Sequence, residues 1–150
     1  MSKTPAMRWL DQRKIEYEVR EYDHKVKGAE FAAESLDWPL EAMIKTLVVA
    51  LSDGSFVLCL MPGDRELSLK KLARAAGVKG ARMATRDEAE KQTGYLAGGI
   101  SPFGTRKRLE TWIDEPLGGF ERIAINGGGR GIIIFLDPAV LAATPADLSA

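Results

Sequence analysis

Residues 43–62 read MIKTLVVALSDGSFVLCLMP, and this stretch limits the possible folds more than any other. MIKTLVVAL is rich in β-branched residues and apolar on both faces of an extended chain. That is the pattern of a strand covered from both sides. SDG is a turn and SFVLCLMP a second strand, so 43–62 reads as a hairpin.

The flanking segments mix helices with strands. Thr4 followed by Pro5 is an N-cap and a first-turn proline, and predicts a helix from Pro5 to about Lys14. IEYEVREY (15–22) alternates, with Ile15, Tyr17 and Val19 on one side, and reads as a strand. HKVKG is loop, and AEFAAESL (29–36) is helical, closed before Pro39. Ser68 caps the helix LKKLARAA, which Gly77 stops. ARMA (81–84) is a possible short strand. Thr85 and Glu88 form a capping box for RDEAEKQT, stopped by Gly94. RLETWI (108–113), ERIAIN (121–126) and GIIIFL (131–136) are strands, and NGGG is a turn between the last two. Asp137-Pro138 caps a last short helix. This order predicts an α+β fold with a mixed sheet rather than a doubly wound one. At 150 residues the expectation is one domain over 1–150.

Composition removes several classes of function. One cysteine allows no internal disulfide. One histidine beside it allows no zinc site built from His and Cys ligands. There is no G-x-S-x-G, and NGGGRG fits neither phosphate-binding glycine motif. No cofactor is expected. No apolar run reaches the ~20 residues of a membrane span, and the start resembles no signal peptide. A cytoplasmic protein with no membrane partner is therefore expected. Lys+Arg and Asp+Glu are 21 each, so any nucleic-acid contact must be local.

Three features could carry chemistry. Lys45 is the one charge in MIKTLVVAL: it either reaches a polar cavity or snorkels outward from the strand start. AGGISPFG (97–104) is either a turn cluster or a loop whose amides converge on an oxygen. Arg106, Lys107 and Arg108 could meet phosphates, while Lys70, Lys71, Arg74, Lys79 and Arg82 read as a solvated helix face. His24 reads as a surface histidine, and Cys59 as a buried, inert thiol.

MIKTLVV, GYLAGGISPFGTRKRL and NGGGRG, in this order, closely resemble the YbaK/EbsC family, free-standing relatives of the editing domain inserted in bacterial prolyl-tRNA synthetases. The likeness runs from TPAMRWLDQRKI to the last capped helix. It implies a mixed sheet curled towards a barrel with helices around it. It also implies a trans-editing deacylase for mischarged tRNA(Pro), typically cysteinyl-tRNA(Pro), in which the substrate thiol attacks its own ester. By position, Lys45 matches the required lysine. Gly98, Gly99, Ile100, Ser101 and Pro102 match the loop that holds the ester, with the amides around Gly99–Ser101 as oxyanion donors. Tyr22 matches a pocket tyrosine. Asn126, with Gly127 after it, falls where a serine is common, and Ile133 where an aspartate can stand. Arg106, Lys107 and Arg108 lie near the tRNA end, and prolyl-tRNA synthetase is the implied partner. The alternatives are a deacylase for alanyl-tRNA(Pro) or another small residue, a non-catalytic module for aminoacyl ends or the synthetase, and a small-molecule binder.

Overall fold

The computed structural model describes residues 2–23, 25 and 29–150. His24 and most of HKVKG lie outside the described residues. Among the described residues, four α-helices and eight strands follow in the order α1 (Pro5–Gln12), β1 (Glu18–Glu21), α2 (Ala29–Ser35), β2 (Ile44–Leu51), β3 (Phe56–Pro62), α3 (Leu69–Ala76), β4 (Ala81–Met83), α4 (Arg86–Thr93), β5 (Glu110–Asp114), β6 (Ile123–Asn126), β7 (Ile132–Leu136) and β8 (Thr144–Ala146).

The hairpin pairs in the register its turn dictates, Lys45 opposite Met61 and Val49 opposite Val57. It is the heart of a five-stranded sheet ordered β4-β2-β3-β5-β8, in which β3–β5 and β5–β8 are parallel and the remaining pairs antiparallel. β1, β7 and β6 form a second, antiparallel sheet. A parallel bridge between Met43 and Ala124 joins the two. The result is the expected α+β fold, a mixed sheet curled towards a barrel but not closed.

Alternation assigns the faces. Ile44 and Leu60 join Ile113, Ile123, Ile125 and Ile134 in an interior cluster. Val49, Cys59 and Met61 pack outward, with Leu72 of α3 and Trp112. Met43, Ala124, Ile133 and Phe135 pack outward under Ala32 and Ala33 of α2. Both faces of the hairpin are thus covered, as its composition requires. Ile15, Tyr17 and Val19 do share one side, against the interior cluster, but only 18–21 pair as strand. The helix expected after Asp137 is a single 3-10 turn, Pro138–Val140.

The capping box on α4 is formed, the Thr85 hydroxyl accepting from the Glu88 N–H and the Glu88 carboxylate from the Thr85 N–H. The Arg82 guanidinium, and then that N–H, hold the Glu88 carboxyl at about 2 against an ordinary 4.5. A carboxyl depressed in the folded state adds stability above its unfolded pKa and loses it as pH falls through the folded one. Glu88→Gln is therefore expected to lower the Tm at neutral pH. In parallel thermal melts that difference should shrink from about pH 4.5 and vanish near pH 2.

Candidate functional site

The site is built on the connection that leaves α4. Gly94 ends the helix, and the loop returns at Arg106, whose N–H donates to the Thr93 carbonyl at 2.8 Å. Tyr95 crosses beneath it and donates its hydroxyl to the Phe103 carbonyl at 2.5 Å. Burial pushes that hydroxyl up to about 12, so it remains a donor. Ile100 packs its side chain against the interior cluster, while Gly98 stays exposed at the surface.

A second glycine segment, 127–131, closes over the loop. A Cβ on Gly99 would lie 2.9 Å from the Gly129 carbonyl carbon and 3.0 Å from the Arg130 nitrogen. Only a glycine permits this backbone-to-backbone approach. Asn126 clasps the two segments. Its Oδ1 accepts from the N–H groups of Gly128 at 2.7 Å and Gly129 at 3.2 Å. Its Nδ2 donates to the carbonyls of Gly98 at 3.2 Å and Gly129 at 3.1 Å. Thr4, the cap of α1, donates its hydroxyl to the Gly127 carbonyl at 2.5 Å.

These bonds revise several expectations. The Gly99 N–H closes a turn onto the Leu96 carbonyl at 2.9 Å, so it has no hydrogen left for an oxyanion. Among the described residues, the N–H groups of Gly98, Ile100 and Ser101 have no acceptor. Ser101 is fully buried, and its hydroxyl accepts from the Phe103 N–H at 3.3 Å, which makes its side chain a strap for the loop. Pro102, half-buried, follows it. Asn126 and Gly127 have their polar groups occupied, Gly127 through Thr4 and through its N–H to the Ile132 carbonyl at 2.9 Å. Both tie the two glycine segments and α1 together.

Lys45 leaves the junction on the face that carries Asn126. Met43 and Ala124 stand opposite one another, and Lys45 and Asn126 each lie two residues further on, a spacing that preserves the face. Ile133, opposite Asn126 in register, and Tyr22 belong to the cluster on that same face. The Lys45 ammonium donates to the Arg65 carbonyl at 2.6 Å and lies 3.7 Å from the exposed Glu66 carboxylate. Its remaining hydrogens are available to an anionic ligand. Tyr22 stacks at a tilt 6.3 Å from Phe31, and burial raises its hydroxyl pKa. Ile133 is buried among Met43, Ala124 and Phe135, with Arg20 and Asn126 opposite it in register on the neighbouring strands.

Arg130 was not foreseen. It donates Nε–H to the Ala97 carbonyl at 2.9 Å, and its side chain lies 3.5 Å from where a Gly98 Cβ would stand. Its guanidinium thus lies against the exposed part of the loop. An arginine after three glycines gives no sequence signal beyond a solvated turn. Cys59 matches its reading: it is fully buried, and burial pushes its thiol up to about 12. A maleimide at pH 8 should therefore leave the folded protein unlabelled and modify it only in denaturant, as mass spectrometry would register.

The loop 97–104 and the segment 127–131 thus lie back to back beside Arg130, and Lys45 leaves β2 on the face that carries Asn126. Residues 23–144 match the aminoacyl-tRNA editing domain. A protein of Enterococcus faecalis named as a candidate Cys-tRNA(Pro)/Cys-tRNA(Cys) deacylase, EbsC, is 39% identical over 147 residues, covering 95% of this chain and 88% of that one. The proline–tRNA ligase of Thermosipho africanus is 37% identical over 86 residues, 57% of this chain but 15% of the ligase. A solved structure described as a candidate trans-editing enzyme for prolyl-tRNA synthetase superposes with a TM-score of 0.87 at 27% identity, over 97% of this chain and 95% of that one. The chain belongs to the aminoacyl-tRNA editing domain family.

Proposed function

We propose that the protein is a trans-editing aminoacyl-tRNA deacylase that cleaves the ester of mischarged tRNA(Pro), with the cysteinyl ester as its substrate. The observation that carries this reading is the pair of unclaimed loop amides, Gly98 and Ile100, on a backbone locked at Gly99. Pre-aimed N–H groups stabilise an oxyanion without reorganising during the reaction, and one such donor contributes ~3–4 kcal/mol. Family membership and the resemblance of the KTL strand and GGISPFG loop support the same reading.

The substrate supplies the nucleophile. The cysteinyl sulfur forms a bond to its own ester carbonyl carbon, and the carbon–oxygen bond to the ribose breaks. The thiol proton ends on the ribose hydroxyl through solvent. A thiolactone leaves and hydrolyses to cysteine. The loop orients the ester, Lys45 and Arg130 neutralise phosphate at the terminal nucleotide, and Tyr22 and Ile133 bound the side-chain pocket. Arg106, Lys107 and Arg108 contact the tRNA backbone, and prolyl-tRNA synthetase supplies the choice of tRNA(Pro).

A second reading follows from Ile133. An apolar wall suits an alanyl group, whose ester needs a water as nucleophile. A panel of tRNA(Pro) carrying Cys, Ala, Ser or Pro tests both. The cysteinyl ester should be hydrolysed fastest, with a rate rising towards the thiol pKa of ~8.5, and prolyl-tRNA should be spared. Faster loss of alanine would favour the water route, and no acceleration on any ester would end the deacylase reading.

A further inference from the structure

The chain's charges cancel, but they are not evenly spread. Beyond the buried part of the loop, an open groove of about 880 Å³ is lined by Trp9, Arg13, Phe103, Arg106, Arg108 and Glu110, among others. None of its three arginines has a carboxylate within ion-pairing distance among the described residues. Arg13 is also pre-ordered. Its guanidinium carbon sits 3.7 Å over the Trp9 ring, and its Nη1 donates to the Trp9 carbonyl at 3.1 Å. Trp9 is braced in turn by Phe103, ring centres 5.3 Å apart. An arginine stacked on an indole keeps in-plane donors for a phosphate and loses little freedom on binding. The groove starts at Pro102, four residues from Gly98, so the two are at most ~14 Å apart.

We propose that this groove seats the single-stranded 3′ end of an acceptor RNA, with Arg13, Arg106 and Arg108 as ligands of its backbone phosphates. The inference rests on the editing reading for the position of the RNA terminus, and it makes α1, far away in sequence, part of the nucleic-acid surface. Lys107, between the two loop arginines, does not line the groove. The ligand is RNA rather than an acidic protein because three guanidiniums without carboxylate partners, one of them stacked on Trp9, line one groove and match a chain of separate phosphates.

The test uses an uncharged, fluorescent acceptor-stem hairpin with a four-nucleotide 3′ overhang, titrated at several salt concentrations. The wild type should bind it more tightly than the blunt hairpin. Arg13→Gln should weaken binding about five-fold and reduce the slope of log K against log salt by about 0.7, one phosphate's worth for a single strand. Arg13→Lys should keep the slope, and Arg74→Gln on α3 should match the wild type. If Arg13→Gln fails to fold, Arg108→Gln carries the same expectation. An unchanged slope in Arg13→Gln, an equal loss in Arg74→Gln, equal affinity for the blunt hairpin, or equally tight binding of polyglutamate overturns the proposal. Because no ester is present, the readout is independent of deacylation. A protein that binds through Arg13 but hydrolyses nothing refutes the editing reading and keeps the groove. One that hydrolyses but ignores Arg13 does the reverse.

Discussion

Gly99→Ala is expected to give a folded protein that deacylates at least 100-fold more slowly than the wild type. The new Cβ would stand 2.9–3.0 Å from the backbone of Gly129 and Arg130. That backbone cannot yield easily: the Gly129 N–H and carbonyl are both held by Asn126, and its carbonyl also by the Ile132 N–H at 3.2 Å. The loop must move instead, carrying the Gly98 and Ile100 amides with it. A displacement near 1 Å in a positioning group costs about 100-fold in rate, while overpacking costs roughly 1–3 kcal/mol of stability. Rates under single-turnover conditions, set beside thermal melts, separate the two effects. Gly118→Ala, where a Cβ meets nothing within 4 Å, is the control and should retain full activity. A fully active Gly99→Ala would mean that the loop's position is irrelevant to the chemistry.

Lys45→Ala should produce the second large loss, again of the order of 100-fold in kcat/KM, with almost no change in stability. Its folded-state partners are a backbone carbonyl and an exposed carboxylate. Exposed ion pairs of that kind contribute ~0–1 kcal/mol, so the Tm should shift little. On the proposed reading the catalytic loss should be much greater, because the ammonium's donors not used on Arg65 would meet the terminal phosphate of the substrate. Lys45→Met, which keeps the apolar stem, should be equally inactive, assigning the effect to the charge. An active Lys45→Met would remove the ammonium from the account.

Both variants bear on what a sequence can express. The hairpin 43–62 was legible because both strands are apolar on both faces apart from Lys45 and Thr46, and one short turn fixes their register. The caps at Thr4, Ser68 and Thr85 were legible because each is a local bond between neighbouring residues. β8 was not: its three residues include Pro145, and its parallel pairing with β5 arises only from tertiary placement. The strand over 15–22 was read too long because alternation reports which side is buried, whereas pairing stops where the partner β7 stops. In the site, glycine content announced a close approach but could not name the approaching atoms. The lock of Gly99 against Gly129 and the Arg130 contact with Ala97 join segments about thirty residues apart, while the Gly99 N–H is spent within its own turn, on Leu96. The bonds of Gly127 to Thr4 and Ile132 likewise leave no trace in the sequence, whereas the Ser101 hydroxyl bonds locally, to the Phe103 N–H. Lys45 was legible as the lone charge on a buried strand, but its hold on Arg65 was not.

The most direct measurement is the decay of cysteinyl-tRNA(Pro) under single-turnover conditions, with the wild type, with Lys45→Ala and with no protein. The account predicts fast release of free tRNA by the wild type and a Lys45→Ala trace close to the spontaneous rate. A wild-type trace that overlays spontaneous hydrolysis would contradict it.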